Sequence, residues 1–416
     1  MRRTISRLRL CLAALILMTG QCFGDQLRIL TSMPPSFYEP FVEAFSEKYA
    51  DVEILVLNKN TNAAIDELLR GNDRLFDIFW SSSPEAFEIL RENGNVARSR
   101  DTNEPLLHPF AYSAVGWTQK SDAQNNQTSD WDFLLSAEAL SQVAFAHPSR
   151  SGSAHIVLER FLQVRGWQDG WAYLLEFGAN LYTLTARSFT VLEGVSSGRF
   201  NIGVTIDFLA HSRSDENLSF TYGSPVMVTT AKIGILEQGK ARKNALDFVA
   251  FVVSDEGQRL LLSPQIARTP YSPKIRAEAF APHNKVIDDA LALTWLKYDD
   301  ALASSRYWAV NSLFDVFVFE DFDRRKSAWR KLRELQALGL PSQRGTLEDV
   351  SRLLTTMPVV EQEVGREGVT TNANAFSALS RQQEASLERW RAASAEIMEK
   401  AEQLLASLEP HGETAE

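Results

Sequence analysis

Three groups of hydroxyl residues stand where strand-like runs give way to helix-like ones. They are Thr31 and Ser32 before Met33-Pro34-Pro35, Ser81, Ser82 and Ser83 before Pro84, and Ser151-Gly152-Ser153 after His147-Pro148-Ser149-Arg150. A helix that starts at such a loop leaves its first backbone N–H groups unpaired and turns the positive end of its dipole outward, which suits an anion. Serine hydroxyls add donors, and Gly152 lets a ligand approach the backbone. Taken singly, each serine is equally an ordinary N-cap. Lys59 and Arg187 offer full positive charges, and arginine matches a phosphate or carboxylate with two parallel bonds. Each is also an ordinary surface charge until a fold places it, as is Arg150 beside Ser151. Asn60 and Thr61 offer adaptable hydrogen bonds. Asp207 can accept from ligand hydroxyls or serve a hinge. Together these groups suit a small acid with dense negative charge and several acceptor oxygens.

The elements that would position them repeat. Strand-like 27–30, 52–57 and 76–80 are each followed by a Ser-, Thr- or Asn-rich loop and then a helical run, 37–49, 63–70 and 85–93. Phe37, Phe41, Val42 and Phe45 have helical spacing, and Pro84 suits a first helical turn. Three β-loop-α units predict a parallel sheet whose carboxyl-end loops share one crevice. Trp80 in the third strand reads as core. A strand over 110–118 leaves this unit, and a polar loop, 119–130, reads as a solvated excursion. Strands at 143–146 and 200–205, an amphipathic helix from Ile156 and helices over 166–178 and 190–197 form a second α/β block. Strand-like 219–222 and 225–235 and one long helix over 240–262 follow. Crossings near Phe110 and Tyr222 would make a two-strand hinge beside a cleft. The expected organisation is a first lobe from 25–109 and 223–275, a second from 110–222, and a helical extension, 276–416, packing on the lobes. Its last helix, 375–408, alternates charges around Leu379, Leu387 and Trp390, as a solvated helix with one packed face or a partner-binding helix does.

Bulk properties narrow the setting. Arg2, Arg3, Arg7 and Arg9 precede an apolar run, and small residues near Gly24 predict a signal peptide, 1–24, cleaved after Gly24. No run is long enough for a membrane-spanning helix, so no membrane insertion is expected after cleavage. Both cysteines, Cys11 and Cys22, fall inside the leader. Gln21 stands where a lipidation motif wants a small residue, which favours a soluble periplasmic product. Cleavage leaves 39 of the 43 basic residues against 53 acidic ones, changing the net charge from −10 to −14. That argues against nucleic acid as a partner. The six histidines lack ligand spacing, so no metal or cofactor is expected. Gly194-Val195-Ser196-Ser197-Gly198 matches G-x-S-x-G, but a nucleophile elbow needs a strand before and a helix after. Here the order is reversed, Gly198 reads as a helix C-terminus, and a binding protein is favoured over an enzyme.

Several segments in order carry a resemblance: 146–154, 194–203, 225–235 and 245–258. They are similar to the family 1 extracellular solute-binding proteins of ABC transporters over 25 to about 275. The resemblance implies an α/β, two-lobed periplasmic-binding-protein (type II) fold, here with a helical C-terminal extension. Within the family, 30–35, 58–61, 79–84 and 311–315 look like a phosphoglycerate-sensing branch. That implies a receptor for a small phosphorylated acid acting with an inner-membrane sensor kinase. The alternative is delivery of a sugar phosphate or other organic anion to an ABC permease. Ferric iron is disfavoured, because iron-binding relatives carry adjacent tyrosines and Tyr222 is followed by Gly223.

Overall fold

A computed structural model describes residues 26–121, 128–213, 217–278, 282–364 and 379–408. The predicted leader, the polar stretch 122–127 and the start of the predicted last helix, 375–378, lie outside them.

The first three strands are β1 (Leu27–Thr31), β2 (Ile54–Asn58) and β3 (Ile78–Ser81), followed by α1 (Pro35–Lys48), α2 (Thr61–Leu69) and α3 (Pro84–Glu92). β1 lies parallel to both β2 and β3. The carboxyl ends of all three strands therefore meet, as the repeated pattern requires. Proline opens α1 and α3, where its missing N–H costs nothing. Trp80 is fully buried, with its ring 5.4 Å from Phe37 and 5.2 Å from Phe41.

β4 (Leu107–Lys120) joins the two halves of the molecule. Its first half pairs antiparallel with β9 (Val228–Ile235), and its second half pairs with β7 (Ile202–Ile206) and β8 (Leu218–Tyr222). β7 continues through β5 (Val143–Ala146) to β6 (Leu181–Thr185) by parallel pairing. The strand order is β2-β1-β3-β9-β4-β7-β5-β6, and the short β10 (Thr269–Pro270) also pairs with β4.

The second lobe carries α4 (Gly152–Arg165), α5 (Trp167–Asn180), α6 (Ser188–Ser196) and α7 (Asp207–His211). The single helix expected over 240–262 is two, α8 (Arg242–Val253) and α9 (Asp255–Leu260). Ser254 breaks it: it ends one helix, and its hydroxyl accepts from Gly257 N–H to cap the next. G-x-S-x-G spans the end of α6, and Gly198, at φ 75°, turns the chain out of it. The motif thus closes a helix, as its order implied.

The extension holds α10 (Pro273–Glu278), α11 (Pro282–Leu291), α12 (Asp300–Ser305), α13 (Tyr307–Phe314), α14 (Phe322–Leu338), α15 (Arg344–Thr355), α16 (Glu361–Val364) and α17 (Arg381–Ser407). Trp308, Leu313, Phe314, Phe317 and Trp390 enter one core with Phe145, Leu158, Phe161 and Phe177 of the second lobe. Side chains of that size contribute about 1.5–3 kcal/mol each when buried. α12 packs instead on α3 of the first lobe. This second covering layer corrects the amphipathic reading of α4. That helix is buried all round from Ala154 to Leu162, including Glu159 and Arg160. Arg306 offsets the burial of Glu159 by pairing with it bidentately, at 2.9 Å through both Nε and Nη2, and also pairs with Glu361, while Arg160 donates through Nη2 to Leu296 O at 2.6 Å.

Candidate functional site

Between the lobes lies a cavity of about 50 Å³, room for a water molecule or two. The first lobe supplies Ser32, Met33 and Pro34 after β1, Thr61 at the start of α2, and Ser82 and Ser83 after β3. The second supplies Arg150, Ser151, Gly152 and Ser153 around the start of α4, then Arg187, Ser188 and Phe189 around the start of α6, and Ile206 at the end of β7 with Phe208 and Leu209 after it.

Two helix N-termini open onto this space. Ser151 is the N-cap of α4, with its hydroxyl 3.4 Å from Ala154 N. Ser188, the first residue of α6, bonds to Ser151 at 2.7 Å and to Ser153 at 2.6 Å through its hydroxyl. Three hydroxyls and two dipole ends thus converge on one point, an arrangement suited to an anion. Ser188 was missed in the sequence. Its signal was a hydroxyl residue directly after Arg187 and just before a helical run.

The lobes touch across the cavity. Gly152 N–H donates to Thr61 Oγ1 at 3.2 Å, and Asn62 Nδ2 donates to Ser149 O. Arg187 reaches from the second lobe to Ser32 O at 3.1 Å and Asn58 Oδ1 at 3.0 Å. Burial holds its pKa below the usual arginine value. Gly152 permits the approach: a Cβ there would lie 2.7 Å from Ser83 Cβ and 2.9 Å from Thr61 Oγ1. The lobes are therefore shut against one another.

Other proposed ligand residues sit behind this surface. Ser32 lines the cavity but does not cap α1, whose N-cap is Pro34; its hydroxyl pairs with Ser81 Oγ at 2.8 Å. Ser81 is fully buried, and Thr31 donates to Trp80 O at 2.8 Å. Asn60 caps α2 by accepting from Ala63 N–H at 2.8 Å. Lys59 is engaged by Glu67, eight residues on, and does not line the cavity. Asp207 is buried beneath Phe208, accepting from Phe208 N–H at 2.7 Å and from the Tyr222 hydroxyl at 3.4 Å. Burial raises its pKa to about 6, against these bonds and the charge of Arg268. Tyr222 is thereby occupied inside the protein. Among the described residues, no group of three or more His, Cys, Asp or Glu is placed to hold a metal ion. Ser149, His147 and Asp315 lie in contact, with Ser149 Oγ 2.7 Å from His147 Nδ1 and His147 Nε2 3.4 Å from Asp315. None of the three lines the cavity.

The extension reaches the same place from behind. Tyr307 donates to Asn62 Oδ1 at 2.6 Å, and His155 Nδ1 lies 3.0 Å from Asn311 Oδ1. Glu85 receives the Ser83 hydroxyl at 2.5 Å, with the Tyr298 hydroxyl 3.4 Å from its other oxygen. Glu85 is fully buried. Desolvation pushes its pKa up to about 8, although the Ser83 bond pulls the other way.

A family model described as bacterial extracellular solute-binding protein matches residues 31–263, more than half of the chain. This chain is a bacterial extracellular solute-binding protein. The match spans both lobes and ends before the extension. A longer likeness reaches into the extension: the phosphoglycerate transport regulatory protein PgtC of Salmonella typhimurium is 27% identical over 362 residues, 82% of this chain and 88% of that one. Solved structures share the fold at lower identity. The periplasmic binding protein AfuA of Actinobacillus pleuropneumoniae, with fructose-6-phosphate bound, has a TM-score of 0.55 at 17% identity, covering 59% of this chain and 84% of its own. The substrate-binding protein of an ABC transporter from Agrobacterium tumefaciens has a TM-score of 0.56 at 17% identity, covering 65% and 86%. The solute-binding protein described here thus has the two-lobed α/β fold that its repeats and its resemblance implied. Among the described residues no helix is long and apolar enough to cross a membrane.

Proposed function

We propose that this solute-binding protein captures a small phosphorylated organic acid of the phosphoglycerate type between its lobes. It then signals to an inner-membrane sensor system that induces transport of that acid. The observation that carries the reading is the hydroxyl cluster of Ser151, Ser153 and Ser188 at two helix N-termini, with Arg187 beside it and Ser82, Ser83 and Thr61 across the cleft. A phosphate needs many donors more than it needs net protein charge, and this cluster has them. The likeness to PgtC supports the ligand class and the signalling role.

In this reading the first lobe comprises 25–109 and 223–275, the second 110–222, and the extension 276–416. The leader, 1–24, directs the chain to the periplasm. Arg187, Arg150, Ser32, Thr61, Ser82, Ser83, Ser151, Gly152, Ser153 and Ser188 contact the ligand, whereas Lys59, Asn60, Thr31, Ser81 and Asp207 support them. The protein binds and does not turn its ligand over. A second reading, delivery to an ABC permease, is favoured by the family itself.

Calorimetric titration with 2-phosphoglycerate, 3-phosphoglycerate and phosphoenolpyruvate tests the ligand class. Saturable heat with at least one is expected, and neither heat nor a thermal shift with any of them rejects it. Deleting the sensor-kinase gene or the permease genes separately, with induction of uptake as the readout, separates the two roles.

A further inference from the structure

Arg268 is a buried cation to which no anion among the described residues is bonded. It follows α9 and is fully shielded from solvent, with its Cζ 4.4 Å from the Phe208 ring and 5.4 Å from those of Phe37 and Phe110. Nη1 reaches only the Met33 sulfur, at 3.4 Å, a weak acceptor. Nε and Nη2 have no hydrogen-bond partner among the described residues. Asp207 is near enough to favour the charged guanidinium, but burial prevails and lowers the Arg268 pKa to about 9. Its oxygens are taken by Phe208 N–H and the Tyr222 hydroxyl.

A buried guanidinium with empty donors costs stability, since desolvation is not offset by hydrogen bonds. Its position supplies a reason to keep it. Met33 and Phe208, which it touches, both line the interlobe cavity. One layer of side chains separates the guanidinium from the cleft, and Met33 is unbranched and readily changes rotamer. The hydroxyl cluster lines the same small cavity, which in the shut form has room only for water and must widen to admit an acid. An acid held at the two helix N-termini by its phosphate then has its other end in the widened cleft beside Met33 and Phe208.

We infer that Arg268 is a ligand-binding residue, pairing bidentately with the carboxylate of the bound acid when Met33 moves aside. This rests on the ligand class proposed above and adds how the cleft tells a phosphorylated acid from a phosphorylated alcohol. A site built around a fork of donors rejects an analogue that leaves them unpaired.

The test compares 3-phosphoglycerate with glycerol 3-phosphate, which keeps the phosphate and has a hydroxymethyl group in place of the carboxylate. Wild type should bind the acid at least tenfold more tightly. Arg268→Met should bring the acid down to the affinity of the alcohol, leave the alcohol unchanged, and not lower the melting temperature without ligand. Arg268→Lys, which keeps charge but not the fork, should lie between. An Arg268→Met protein that keeps the preference for the acid overturns the inference. So does one that loses both ligands equally, melts lower or fails to fold, because the guanidinium is then structural. If wild type binds the two equally, the ligand class stands and the inference fails. If it binds neither, the ligand class fails and takes the inference with it.

Discussion

Gly152→Ala probes the contact on which lobe closure depends. Gly152 starts α4 without a left-handed φ, so alanine fits the backbone, and alanine is the better helix former. The difficulty is the opposite lobe, where the added methyl would meet Ser83 Cβ at 2.7 Å and Thr61 Oγ1 at 2.9 Å. Overpacking of that kind costs about 1–3 kcal/mol. The cost falls on the shut arrangement alone, because separated lobes do not bring these atoms together. A ligand around which the lobes close with the Gly152 approach to Ser83 and Thr61 kept therefore loses about 5- to 150-fold in affinity. Calorimetry with 3-phosphoglycerate reads the loss, and a melting curve without ligand checks the fold, which should be unchanged or slightly more stable. Unaltered affinity would show that Gly152 and Thr61 stay apart in the complex. Tighter binding would show that the shut lobes compete with the ligand. Either result refutes the reasoning.

Other perturbations test other links. Ser153→Ala removes a hydroxyl from the cluster without touching the N-cap, so it should weaken ligand binding several-fold while leaving the unliganded melting temperature unchanged. Glu159→Gln removes the fully buried one of the two carboxylates on Arg306 and leaves Glu361, so it should cost about 1–3 kcal/mol in a urea titration. Glu85 binds its proton more tightly when folded, with a pKa near 8 against about 4.5 when unfolded. Between those values the unfolded chain loses the proton and the folded one keeps it. Glu85 therefore makes stability fall as pH rises from about 4.5 to 8, with no further change above. Glu85→Gln should flatten that part of the stability–pH profile and raise stability at pH 8 relative to wild type.

The parts of the fold legible in the sequence were those fixed by local pattern. Alternating strand and helix periodicities, with proline at the first turns of α1 and α3, marked the first lobe and the ends at which its loops meet. Ser151 and Gly152 could be placed at a helix start from their neighbours alone. What stayed hidden depends on contacts between distant residues. Nothing near Lys59 announces that Glu67 will take its charge, and nothing near Asp207 announces Tyr222 above it. Glu159 and Arg160 look like the solvent face of an amphipathic helix until a segment some 150 residues later covers them. Arg268 drew no attention because its neighbours in space, Met33 and Phe37, Phe110, and Phe208, come from three separate stretches. Ser32 misled because a serine before a proline resembles a cap, whereas two more residues pass before α1 begins.

The central claim is that a phosphorylated acid is held between the lobes. Both cysteines, Cys11 and Cys22, lie in the predicted leader, so spin labels can be attached at new cysteines in the protein without it. Leu55 on β2 and Tyr182 on β6 are exposed and belong to the strands at opposite ends of the sheet order. Double electron–electron resonance between labels at these two positions measures lobe separation directly. The account predicts a distribution that 3-phosphoglycerate narrows to a single distance and glycerol 3-phosphate narrows only at higher concentration. A distribution unchanged at ligand concentrations that saturate the calorimetric signal would show binding without movement of the lobes and contradict the account.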